Sequence, residues 1–235
     1  MVHGHAQSMK TVNGVSYSPN WSGYAVTGQT FTSVSGSWVQ PTASCPTNQQ
    51  QDASFWVGID GYAAGDNAVE QIGTDSDCNK GNRKKGGGPY YYAWWEFDTA
   101  TSTSSMVIPQ NVAPGDQMTA TVSNTGGVFT LTLTDSGPTY VWTSTAGPTT
   151  PLSAPAAASA EWIAEAPSVC KPTCVPVKLA DFQSVTFTGA TANGSPLGSY
   201  TGAQIHAIRM TKGRTIKAAP WGLSGSSFNI NWEHN

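Results

Sequence analysis

Charge is what this sequence has least of. Only 11% of its 235 residues are Asp, Glu, Lys or Arg, against about 25% in an ordinary soluble domain. Its 11 basic and 14 acidic side chains leave a net charge of −3 with histidine neutral, so nothing in the balance suggests a nucleic-acid partner. The one basic cluster, Lys80, Arg83, Lys84 and Lys85 beside Gly86-Gly87-Gly88, reads as a solvated hairpin loop. Charge build-up and protonation of paired carboxylates are what unfold most proteins in acid. A chain with so few of either suits an acidic medium.

Long apolar runs are missing too. No stretch approaches the ~20 residues of a membrane-spanning helix, and Met1 to Lys10 is polar, without a signal peptide's apolar region. No membrane partner is therefore expected. Histidine is scarce and scattered, at positions 3, 5, 206 and 234. A Ser-His-Asp arrangement needs a histidine beside its nucleophile, but only His206 lies well inside the chain, and there is no nucleophile-elbow motif. The four cysteines include no Cys-x-x-Cys pair, so zinc is not indicated. Neither a second aspartyl loop to make a paired-aspartate peptidase nor a phosphate-cradling glycine loop before a helix is present. No metal or other cofactor is expected.

An even cysteine count allows two disulfides in three connectivities. Cys170–Cys174 as a tight local loop and Cys45–Cys78 as a longer staple are the favoured pair, which removes thiol catalysis and points to an oxidising, extracellular compartment. Asn20-Trp21-Ser22 and Asn193-Gly194-Ser195 match the glycosylation sequon, which matters only in a secreting eukaryote.

What the chain does have is 25 Gly, 15 Pro, nine Trp and many Ser and Thr. Few helix formers and many β-branched and aromatic residues predict strands. Strand-like runs at Gln117–Asn124, Val128–Thr134, Tyr140–Thr145, Ser184–Thr188, Ala207–Met210 and Phe228–Trp232 are separated by turn signals. That spacing predicts an all-β sandwich or barrel. No repeat or linker divides it, so residues 1–15 are expected as a flexible lead-in and 16–235 as one domain, a monomer.

The most informative stretch is Ser54 to Thr74. Read as two strands, it alternates faces every residue. Phe55, Val57 and Ile59 then make a core face, with Trp56, Gly58 and Asp60 opposite, and Val69, Gln71, Gly73 and Asp75 share a face on the second strand. Pro89 to Asp98 places Tyr92, Trp94, Glu96 and Asp98 on one side. A carboxylate among indoles in mid-strand needs a partner or a proton. Between Pro151 and Pro167, alanine density suggests helix while Pro155 and the alternation suggest loop then strand. Either geometry puts Glu161 and Glu165 on one side. Carboxylate chemistry is what remains: Glu161, Glu165, Glu96, Asp60 and Asp75, with Gln71 as a neutral donor. Taken singly, each has an ordinary explanation. Gln71 reads as solvent-facing, Glu165 as a strand end, Trp56 as core and Asp60 as a turn acceptor.

Jointly they resemble a family. Trp56-Val57-Gly58-Ile59-Asp60-Gly61, Gln71-Ile72-Gly73-Thr74-Asp75, Tyr91-Tyr92-Ala93-Trp94-Trp95-Glu96 and Ala160-Glu161-Trp162-Ile163-Ala164-Glu165 are similar, in order, to segments of the glutamic peptidases, or eqolisins. The resemblance implies a sandwich of two curved antiparallel sheets, of jelly-roll or concanavalin-like kind, and an acid-active secreted endopeptidase acting on protein or peptide substrates. It implies Gln71 and Glu165 as the catalytic pair, with Trp56, Asp60, Asp75, Trp94, Glu96 and Glu161 lining or supporting the cleft. Three features depart from the fungal pattern: Tyr92 stands where Asp is usual, the Cys45–Cys78 pairing is not the fungal one, and Trp21-Ser22-Gly23 replaces Trp-Gly-Gly. The competing expectation is a carbohydrate-binding sandwich or a glycoside hydrolase, since exposed aromatics suit sugar stacking and two carboxylates suit glycosidic cleavage.

Overall fold

Alternating strands with small or β-branched side chains pair here into two packed sheets. The structure, a computed structural model, describes residues 2–3, 9–46, 49–62, 68–81, 87–99, 102–147, 156–170 and 173–235. The strands are β1 (Lys10–Val12), β2 (Val15–Ser18), β3 (Trp21–Thr27), β4 (Ser33–Val39), β5 (Ser54–Ile59), β6 (Ala68–Asn79), β7 (Gly88–Thr99), β8 (Ser102–Ile108), β9 (Gln117–Thr125) and β10 (Val128–Ser136). There follow β11 (Val141–Ala146), β12 (Ser159–Glu165), β13 (Ser168–Cys170), β14 (Cys174–Pro176), β15 (Ser184–Ala192), β16 (Ser195–Pro196), β17 (Ile205–Lys212), β18 (Thr215–Ser224) and β19 (Ser227–Trp232). Among the described residues the only helical element is the 3₁₀ turn Leu197–Ser199.

One sheet runs β8-β7-β6-β5-β12-β3-β17-β18-β19 through antiparallel neighbours. The other runs β11-β10-β9-β4-β15 and ends on the short β16. Strand β15 belongs to both, pairing with β19 through Ser184–Phe187 and with β4 from Thr188 onward. That shared strand curls the sheets toward each other. The expected two-sheet antiparallel sandwich is thus observed, with one parallel strand pair among the described residues, β2 on β17.

Between the sheets lies the core. Phe55, Val57, Ile59, Ile72 and Ala93 from the first sheet meet Val34, Trp38, Met118, Val122, Leu131 and Leu133 from the second, all buried. The alternation read from Ser54–Thr74 holds along β5 and β6, but Asp60, just past the end of β5, leaves it. Both disulfides also form as expected. Cys45–Cys78 ties the loop before β5 to the end of β6, and Cys170–Cys174 closes the β13–β14 hairpin. The ambiguous alanine-rich stretch is strand from Ser159 onward; residues 151–155 fall outside the description, as do Arg83, Lys84 and Lys85 of the basic cluster.

Within the stretch expected as a lead-in, β1 forms a hairpin with β2, and Val2 bridges Ser168. His3 is buried against the outer face of the first sheet.

Candidate active site

That outer face is built by register. Glu161, Gly58, Gln71 and Glu96 form one row across β12, β5, β6 and β7. Ile163, Trp56, Gly73 and Trp94 form the next, and Glu165, Ser54, Asp75 and Tyr92 the third. Side chains alternate along each strand, so all twelve positions face the same side. The glycines are required by close approach. A Cβ on Gly73 would lie 2.3 Å from the Phe55 carbonyl oxygen and 2.6 Å from the Trp56 Cβ. Trp56 needs that space to lie across the strand.

Glu165, at the end of β12, is wholly buried with both oxygens held. The Trp56 indole Nε1 donates to Oε2 at 2.9 Å, and Asn20 Nδ2 donates to Oε1 at 3.3 Å. Asn20 is itself set by the Ser18 hydroxyl, which donates to its Oδ1 at 2.9 Å. Burial pushes the Glu165 pKa up to about 8, aided by the Glu96 charge and opposed by the His3 charge and these two donors.

Asp75 accepts from Trp94 Nε1 at 2.6 Å on Oδ1 and from the Tyr92 hydroxyl at 2.7 Å on Oδ2. Tyr92, where the resemblance leads one to expect an Asp, is thus a phenol that donates to the Asp75 carboxylate. Gln71, buried on β6, donates its Nε2 hydrogen to the His3 carbonyl, and among the described residues its Oε1 has no hydrogen-bond partner. Glu96 Oε2 accepts the His3 backbone N–H at 2.8 Å. Glu161 is buried in the Gln71 row, and its charge adds to burial in pushing the Tyr62 phenol upward.

Asp60 sits apart from this group. Its backbone is left-handed, with φ of 67°, and its two carboxylate oxygens accept the Ala157 and Ala158 amides at 2.7 Å each. It braces the chain entering β12 instead of facing the cleft. The remaining predicted residues do share one surface: Gln71, Glu165, Trp56, Asp75, Trp94, Glu96 and Glu161. Two participants escaped sequence reasoning. Asn20 contacts Glu165 across 145 positions, and the only signal was its place before Trp21. His3 lay in a segment with no pattern at all. Trp56 and Trp94 are buried, not exposed as sugar platforms would be.

A two-sheet antiparallel sandwich with buried carboxylates and a carboxamide across one face is the architecture of a known group of peptide-bond hydrolases. Scytalidoglutamic peptidase, solved with a peptide-based transition-state analog, superposes with a TM-score of 0.72 at 21% identity, covering 92% of this chain and 98% of that one. SCP-B, a member of the eqolisin family solved with the tripeptide Ala-Ile-His, gives 0.69 at 21% identity over the same shares. Aspergillopepsin-2 of Aspergillus niger is 30% identical over 211 residues, 77% of this chain and 67% of that protein. The Peptidase A4 family matches residues 19–232. The chain belongs to the Peptidase A4 family and is a glutamic peptidase, a hydrolase of peptide bonds.

Proposed function

We propose that the chain is an acid-active, secreted endopeptidase in which Glu165 and Gln71 perform the chemistry. One observation carries this reading. A peptide carbonyl, that of His3, accepts a hydrogen bond from Gln71 on the sheet face that also carries the buried Glu165.

In the proposed reaction, water that enters with the substrate relieves the burial that raises the Glu165 pKa, and the carboxylate, ionised there, removes a proton from water as the water oxygen bonds to the scissile carbonyl carbon. The carbonyl π electrons move onto oxygen, and Gln71 Nε2–H stabilises that oxyanion. Gln71 Oε1, without a hydrogen-bond partner among the described residues, is an acceptor for the second water hydrogen. Glu165 then passes its proton to the leaving nitrogen, the C–N bond breaks, and the products are a carboxylic acid and an amine. Trp56 and Asn20 keep the carboxylate oriented through this cycle. Peptide-like ligands in the structural neighbours support a cleft for extended substrate, and the two disulfides support secretion.

Cleavage of denatured protein across pH 2–7, with pepstatin or EDTA present, tests the reading. Turnover is expected to persist with both reagents and to fall by at least about 10³-fold in Glu165→Gln and about 10²-fold in Gln71→Ala, with melting temperatures little changed. Activity that survives Glu165→Gln and dies with Glu161→Gln would move the base to Glu161. Retention on polysaccharide with no proteolysis would favour the carbohydrate reading instead.

A further inference from the structure

His3 occupies the cleft as a substrate residue would. The chain before it runs antiparallel to β13: Val2 N–H donates to the Ser168 carbonyl at 3.0 Å, and Ser168 N–H returns to the Val2 carbonyl at 2.9 Å. One residue on, the His3 N–H reaches Glu96 and its carbonyl reaches Gln71. The segment thus adds to the edge of the β13–β14 hairpin through its main chain, and it delivers one carbonyl to the amide assigned above to the oxyanion. If Gln71 holds the scissile carbonyl, the residue bearing that carbonyl lies on the acyl side of the cut.

The side chain of that residue meets a pocket of definite chemistry. The imidazole Nε2 lies 3.1 Å from Asp75 Oδ2 and Nδ1 lies 3.2 Å from Glu96 Oε2. The ring stacks on the Trp94 indole at 3.6 Å between centroids, 5° from parallel. A neutral imidazole has one N–H and could satisfy only one of two carboxylates; the imidazolium satisfies both. A flat cation is also what an indole face attracts. Burial alone would lower the affinity of His3 for its proton, but the charge and hydrogen bond of Asp75, with Glu96, raise its pKa to about 10. Two buried carboxylates facing each other across the pocket need such a cation.

Building on the catalytic roles proposed above, we infer that Asp75, Glu96 and Trp94 form a specificity pocket for a protonated histidine on the acyl side of the cleaved bond. An apolar residue there leaves both carboxylates without the cation, and a site built on buried polar partners rejects the analogue that lacks them.

The test is a set of hexapeptides, Ala-Ala-Val-X-Gly-Ala, with X as His, Phe, Leu or Asn, cleaved by the full chain at pH 5 and read by mass spectrometry. Cleavage after X is expected at least about tenfold faster in kcat/KM for His than for Phe. In Asp75→Asn and Glu96→Gln that ratio is expected to fall towards one. Because it compares two substrates on one preparation, partial misfolding of a variant does not move it. Since His3 competes for the same pocket, His3→Ala is expected to lower KM for the His peptide at least about threefold. Peptides cut after X with no preference for His, or with Phe preferred, overturn the pocket while leaving the peptidase reading intact. If no member is cut while denatured protein is, the pocket assignment fails alone; if neither is cut, both readings fail.

Discussion

Trp56 illustrates how one side chain serves two purposes here. Its ring packs edge-on against Trp21, 4.9 Å between centroids, and its N–H points at the proposed base. Substituting Phe keeps most of the apolar area and removes only the donor. A donor to a carboxylate favours the charged form, so its loss raises the Glu165 pKa further. A general base works only when deprotonated. Trp56→Phe is therefore expected to move the acidic limb of the kcat/KM profile up by about one pH unit, measurable on any cleaved peptide. A limb that stays in place, or moves down, would mean that the indole does not act on the base. The alternation Phe55-Trp56-Val57 already shows this tryptophan opposite the core; which acceptor it meets depends on β12, brought alongside from more than a hundred residues away.

At the scale of elements, β12 is the piece on which the site depends, because it lies between β3 and β5 and carries both Glu161 and Glu165. Its entry is held by Asp60, through two amides that otherwise lack the acceptor. Asp60→Gly preserves the left-handed backbone and deletes both bonds. It is expected to destabilise the fold by about 3 kcal/mol, seen as a fall in melting temperature of about 6–12 °C, with Asp60→Asn in between. A glycine variant as stable as the parent would show that the turn holds β12 without the carboxylate. Strands with strong apolar alternation, such as β9 and β10, were legible in advance. Two were not. The β8 sequence opens Ser-Thr-Ser-Ser and carries little hydrophobic signal, and β18 contains Pro220 and Gly222 yet pairs with β19 from Ala218 to Trp221. Their partners make them strands.

For the whole molecule the scarce charges matter through where they are buried. Asp52, Asp77 and Glu165 are all pushed up by burial, to about 7, about 10 and about 8. An acid whose folded pKa lies above its unfolded value contributes stability that is complete below the unfolded pKa, near 4, and is lost as pH rises through the folded one. His3 acts in the same sense. Held at about 10 by Asp75 and Glu96 against burial, it contributes fully below its ordinary 6.5 and loses that contribution as pH climbs through 10. All four groups thus favour acid over neutral conditions, and the 11 basic side chains limit the repulsion that acid would add. The melting temperature is expected to be highest near pH 4 and at least about 5 °C lower at pH 8, by calorimetry at constant ionic strength. A maximum near neutrality would contradict this account.

Composition and period-two patterning were enough to determine the strand-rich class, the inward and outward faces of β5, β6 and β7, and the four motifs that mark the family. These are local properties, written by each residue's own preference and by neighbours one or two positions away. Whether Asp60 faces the cleft or a turn, that Asn20 orients Glu165, and that His3 lies between Asp75 and Glu96 were decided only by tertiary structure. Each is a contact between segments whose separation in sequence carries no periodicity, so it exists only once the sheets have closed.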